Sequence, residues 1–381
     1  MASTIFAVAR GPISPGAAVR RVRAGGIALL GAITLLIGGP ASTPRVRSDA
    51  EWILSAQLHD GAIPAAVGST AVLPYLGNYA AIGLARATQL TGDPVFAQAA
   101  WKWLAWYQAH QDSQGFVTDY TVVAGGEIST GTMDSTDAYA GTFLLAAQAA
   151  WLATHDRPAL QALEPGIAAA VSAIEATQDS DGLTWAKPSF HVKYLMDQAE
   201  AYAGLRAASA LATADGGTSL SQRARLDAAR IASGVARLWN PSVGAYDWAL
   251  GENGVGTPTQ WSVLYPDALA QAWAVAFGLA TGARARLLMS HLAAAQHDWD
   301  LPAALALFGP ATQPVGYWPV AGWAFAAVGD AALTGEGWTR IDAAAEKALR
   351  AWPFTTASAG QLILLAGGGD IGSILRLPGT G

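Results

Sequence analysis

The stretch Met133-Asp134-Ser135-Thr136-Asp137-Ala138-Tyr139-Ala140-Gly141-Thr142-Phe143-Leu144 opens on residues able to cap a helix and then runs on to Ala150 with almost nothing polar. Three-residue spacing puts Asp134 and Asp137 near one face of the helix start. The pattern returns at Asp197-Gln198-Ala199-Glu200-Ala201-Tyr202-Ala203-Gly204-Leu205, and more faintly at 78–83 and 267–272, led by Asn78 and Asp267. An acid or amide recurring at the head of an apolar helix predicts a helical repeat.

Working outward, such helices are expected near 78–91, 135–154, 195–213, 266–281, 317–329 and 357–367, dominated by Ala, Gly, Leu and aromatics. That is how a helix buried all round reads. Between them, helices near 48–58, 94–110, 159–178, 219–239, 284–296 and 337–351 carry charges such as Lys102, Arg223, Arg230 and Lys347, and so face water on one side. The first five end on Gln57, Gln111, Gln178, Asn240 and Gln296, at steps of 54, 67, 62 and 56 residues. A glycine follows four residues after the first four of these. Inner and outer helices alternating six times predict an all-α, single (α/α)6 barrel over residues 48–370. Inner-to-outer connections are mostly tight, whereas outer-to-inner ones at about 59–77, 111–134, 179–194, 240–265 and 297–316 are long. All of these long connections emerge at one mouth, where a rigid scaffold places binding and catalysis.

The first 41 residues are of another kind. Arg10, Arg20, Arg21 and Arg23 precede an apolar run from Gly25 to Gly39, with small residues at Gly39-Pro40-Ala41, so this segment reads as a signal peptide or a membrane anchor and the protein as secreted or cell-surface. Its removal takes four positive charges and no acid, moving the net charge from −6 to −10. Neither nucleic acid nor an anionic bilayer is favoured as a partner by that sign, and membrane contact is expected only through an uncleaved N-terminus. With no cysteine, thiol nucleophiles, cysteine-held zinc and disulfides are excluded.

Six Ala/Gly-rich hairpins, with Gln-x-x-x-Gly turns closing the outer helices and acids opening the inner ones, resemble the six-hairpin glycosidase superfamily. The nearest local echo is with unsaturated glucuronyl hydrolases, on the run Ala140-Gly141-Thr142-Phe143-Leu144, although the offset from that run to Asp134 or Asp137 differs. The adjacent Asp-Asp pair of six-hairpin endo-mannanases does not occur here. The resemblance implies a glycoside hydrolase acting on a poly- or oligosaccharide through carboxylate acid/base chemistry.

Such chemistry needs one protonated carboxyl for the leaving oxygen and one ionised carboxylate for water or the sugar. Asp137 is the leading proton donor, with Glu200 or Asp267 as its partner and inversion as the expected outcome; Asp134 and Asp197 complete the set. Each is also what a plain helix cap looks like. Aromatic rings can stack on sugar faces, which makes Tyr75, Tyr120, Trp185, Tyr194, Trp248, Trp261, Tyr265 and Trp318 candidate substrate contacts beside Asn78; Tyr317 also lies in a long loop. Lys187, His191 and Lys193 keep open a polysaccharide lyase or unsaturated-uronide hydrolase, and acids that only cap would leave a non-catalytic sugar-binding toroid. No phosphate loop, His-Glu-x-x-His or nucleophile elbow occurs, and the six histidines show no ligand spacing, so no cofactor and no metal is expected. Oligomeric state is not written in these patterns.

Overall fold

The computed structural model describes residues 43–300, 318–366 and 371–375. The N-terminal segment and Tyr317 lie outside the described residues. Twelve helices form six hairpins: α1 (Thr43–Ala56) with α2 (Pro74–Thr91), α3 (Pro94–Ala109) with α4 (Thr136–Thr154), and α5 (Arg157–Thr177) with α6 (Leu195–Asp215). The second half pairs α7 (Thr218–Ala236) with α8 (Leu269–Ala276), α9 (Gly282–Ala295) with α10 (Val320–Ala327), and α11 (Ala331–Lys347) with α12 (Thr356–Ala366). Even-numbered helices contact one another in order and α12 returns to α2, so the inner ring closes. The expected (α/α)6 barrel is the fold.

The inner ring closes tightly because its repeated glycines leave room for backbone. A Cβ on Gly141 would stand 2.7 Å from the carbonyl oxygen of Glu200, and one on Gly204 would stand 2.4 Å from that of Gly141. The recurring Ala-Tyr-Ala-Gly is thus a helix-to-helix contact, and the first 15 residues of α4, from Thr136 to Ala150, are all buried. At the seam a Cβ on Gly83 would lie 2.3 Å from Gly360 of α12.

The Gln-x-x-x-Gly turns join neighbouring hairpins. Gln57 donates to the carbonyls of Gly61 (3.0 Å) and of Ala99 on α3 (2.9 Å); Gln178 does the same to Gly182 (3.0 Å) and to Asp227 on α7 (3.2 Å). Gly61 and Gly182 adopt φ of 107° and 83°, where a side chain would be strained and would strike the backbone of Lys102 or Arg230. Each turn therefore rests on the next outer helix.

Three features depart from the sequence reading. The helical ring begins at Thr43 rather than 48, and α11 begins at Ala331 rather than 337. The helix expected over 266–281 is a π-helical turn, Leu264–Ala268, followed by the short α8. Some of the long connections carry small antiparallel sheets, such as Tyr120–Val123 between Ala71–Val72 and Gly126–Ser129.

Candidate active site

Acids at the starts of outer helices cap them: Asp93 accepts from the N–H of Val95 (3.2 Å), Asp156 from Ala159 (3.0 Å) and Asp330 from Leu333 (3.0 Å). The inner helices differ. Their N-cap residues Ser135, Tyr194 and Val263 make no side-chain capping bond, and the carboxyls of Asp134 and Asp197 accept no hydrogen bond among the described residues. These two acids are left free for something other than holding a helix end.

Glu200 forms the floor. Its Oε1 accepts three donors: Tyr75 Oη at 2.7 Å, Trp273 Nε1 at 2.9 Å, and the hydroxyl of Tyr79. Oε2 is buried with no hydrogen-bond partner among the described residues. Burial lifts this carboxyl to about 7 against the pull of the three donors.

One turn earlier on the same helix, Asp197 is half-buried and lies among the charges of Asp137, Glu200 and Asp134. Burial first, and then those like charges, raise it well above the ordinary carboxylate range. Asp134 stands before α4 at the place equivalent to Asp197 before Glu200. Water reaches its side chain, yet the surrounding walls displace enough solvent to raise its pKa, against the pull of Lys187. An exposed group so crowded stands on the wall of a bowl above the buried Glu200. Asp119 supports it from below: Tyr139 donates to Asp119 Oδ1 (2.8 Å) and accepts from the backbone N–H of Asp134 (3.3 Å).

The other expected site residues are turned elsewhere. Asp137 is fully buried, its Oδ2 accepting from Thr184 Oγ1 (2.6 Å) in the α5–α6 connection and its Oδ1 from the N–H of Ala138 (2.9 Å); burial raises it to about 7. Asp267, also fully buried, accepts from the N–H of Gln260 (2.8 Å) and ties the π-helical turn to its preceding loop. Asn78 points away from the mouth, accepting from Trp103 Nε1 (2.9 Å) and donating to Thr142 Oγ1 (2.9 Å) and the carbonyl of Tyr139.

Aromatic pairs ring the bowl. Tyr194 stacks on Trp248 (5.9 Å, 7°), Tyr265 on Trp318 (5.0 Å, 14°) and Tyr75 on Tyr139 (6.1 Å, 27°); all but the buried Tyr139 are partly accessible. The hydroxyls of Tyr75 and Tyr265 are both influenced by Glu200, which places them beside the carboxylates. Trp185 is stacked against His191, Trp261 against His291, and Tyr120 packs edge-on to Trp106, so these three belong to the rim. Tyr79 and Trp273, which pattern alone assigns to the core, serve Glu200 directly. A signal existed for Tyr79, which stands four before Gly83 as Glu200 stands four before Gly204; Trp273 had none. A hollow of about 980 Å³ on the outer wall between α5 and α7 is lined by ions that pair with each other, Arg223 with Glu175 and Arg230 with Asp227.

No family model and no curated protein matches the sequence. Solved structures do. A substituted glycosidase in complex with glucose superposes with a TM-score of 0.62 at 17% identity, over 89% of this chain and 99% of that one. A GH63 mannosylglycerate hydrolase from Thermus thermophilus, in complex with glucose, gives 0.61 at 14% over 84% and 99%. An uncharacterized conserved protein from the same organism gives 0.59 at 15% over 84% and 99%. At such identities the likeness is one of fold.

Proposed function

We propose that this chain is a secreted glycoside hydrolase acting on a poly- or oligosaccharide, with Asp197 as proton donor and Asp134 as the base that activates water. The observation that carries this reading is the contrast between helix starts: the outer acids cap, whereas Asp134 and Asp197 cap nothing and open into a bowl walled by aromatic pairs. The same fold in glycosidases bound to glucose is consistent with it.

Asp137, the leading donor from sequence, is closed off by Thr184, so the role passes to Asp197, whose carboxyl is raised well above the ordinary carboxylate range by burial and then by the neighbouring acids. In the reaction Asp197 gives its proton to the glycosidic oxygen as the bond to the anomeric carbon breaks. Asp134 takes a proton from the water that attacks that carbon, and the sugar leaves as a free hemiacetal. Glu200 and its tyrosines hold the floor. The two carboxyls start adjacent inner helices, whose axes lie about 8–10 Å apart, and so suit the roughly 6.5–9.5 Å that admits a water and inverts the anomeric centre.

The test is a polysaccharide panel read in parallel for new reducing ends and for absorbance of an unsaturated product, followed by proton NMR of the first anomer formed. Reducing ends with inverted configuration support the assignment. Unsaturated product, or no cleavage with tight binding, would replace it with a lyase or a binding toroid. Export rests on the arginines and apolar run of residues 1–41, and appearance of the full-length gene's product in the medium or at the cell surface checks it. No helix among the described residues is long and apolar enough to cross a membrane.

A further inference from the structure

The hairpin topology divides the charges of this chain unevenly. The mouth comprises the described residues of the six outer-to-inner connections (57–73, 110–135, 178–194, 237–263, 296–300 with 318–319, and 348–355) and the first two turns of each inner helix. It carries fifteen carboxylates against four lysines or arginines. The remainder of the chain beyond residue 42 carries thirteen acids and fourteen lysines or arginines, close to neutral. The excess negative charge of this protein therefore sits at one end of the barrel, the end that holds the bowl.

The few cations there are mostly taken. Lys193 is buried and bonds both Asp179 and Asp181 (2.7 Å each), while Arg350 bonds Asp49 on α1 (2.6 Å). Arg237 donates to backbone carbonyls of Ser233 and Asp181. His191 is held by Glu252 (2.9 Å). Lys187 remains: its Nζ donates to the carbonyl of Met133 (2.9 Å) and lies 5.9 Å from the ring of Phe190. Against it stand Asp119, Asp134 and Glu200, while Asp197, the proton donor, is uncharged before it reacts. No arginine fork faces the bowl among the described residues, and a fork is the usual means of receiving a sugar carboxylate or sulfate.

We infer that the mouth takes uncharged or amino sugars and turns away uronic acids and sulfated sugars. This deepens the hydrolase reading and rests on the same bowl being the sugar site. Like charges placed together in a water-poor cleft repel. The field also reaches incoming ligands over a Debye length, roughly 10 Å at 0.1 M salt. An aminosugar gains where a uronate loses, and a neutral sugar is unaffected.

Titration calorimetry on the full chain with matched oligosaccharides tests this: mannan against polymannuronate, cello-oligosaccharides against their C6-oxidised counterparts, and chitin against chitosan fragments. For whichever backbone binds, the carboxylated twin is expected at least about tenfold weaker. Binding that is indifferent to salt marks a neutral ligand, and binding that weakens with salt an amino sugar; both support the inference. A uronate bound as tightly as its neutral twin overturns it, whatever the turnover. A neutral sugar that binds without being cut sinks the hydrolase reading and leaves this one standing. If no saccharide in the set binds, the field itself is measurable through the partly accessible Trp185, Trp248, Trp261 and Trp318. At low salt, caesium should quench their fluorescence more, relative to free tryptophan amide, than iodide does, and equal relative quenching would overturn the inference.

Discussion

At the scale of single residues, the bowl turns on which carboxyls face water and which face protein. Asp197→Asn removes only the transferable proton, so turnover should fall by about 10²–10⁴ while saccharide binding persists; unchanged turnover would strip Asp197 of its role. Asp137 predicts a different signature. Its pKa rises from 3.8 to about 7 on burial, so the folded chain holds this proton more tightly than the unfolded one. The stability it lends is present below about pH 3.8 and is lost as pH rises through 7. Asp137→Asn, which cannot ionise, should gain on the wild type between pH 5 and 8, by up to about 1.4 kcal/mol per pH unit below 7. Urea midpoints at the two pH values measure it, and a pH-independent gap would mean that the carboxyl titrates normally. The sequence brings all these acids to the mouth but does not say which way each one points. Residues three apart share a helix face only loosely, and Asp137 turns to Thr184 because a connection 47 residues later happens to pass behind it.

At the scale of helices, the reading of the fold succeeded because its punctuation is chemical. Gln57 and Gln178 each spend one amide on two carbonyls in different hairpins, and the glycine four residues on is the one that clears the next helix; a spacing with so specific a cause is visible in a single sequence. The two-residue strands are invisible for the opposite reason, being too short to leave an alternating pattern, and the break between Tyr265 and α8 lies within a run as apolar as any helix. The Gly141–Gly204 contact gives a prediction at this scale. Gly204→Ala would drive a Cβ against the carbonyl of Gly141, forcing α4 and α6 apart at a cost of about 1–3 kcal/mol. A lowered melting temperature, with a loss of turnover beyond what the remaining folded fraction explains, is expected because Asp134 and Asp197 ride on those two helices. Full stability in this variant would show that the ring has slack.

At the scale of the whole molecule, circular dichroism should report helix with little strand, as the six hairpins require. The seam between α12 and α2 has a further consequence, in time rather than in space. Gly83 and Gly360 meet backbone to backbone although 277 residues separate them. At about 5–20 residues per second, a ribosome delivers α12 roughly 15–60 s after α2. Throughout that interval the flank of the first hairpin that α12 will cover, including the backbone of Tyr79, is bare. Nascent chains arrested before residue 355 should accordingly be cleaved by protease within the first hairpin and bound by chaperones, whereas chains extended past 375 should resist. Protection of the first hairpin in the shorter chain would mean that the ring does not need its last helix. Otherwise, the hairpin of the ring that is made first is the last to become native.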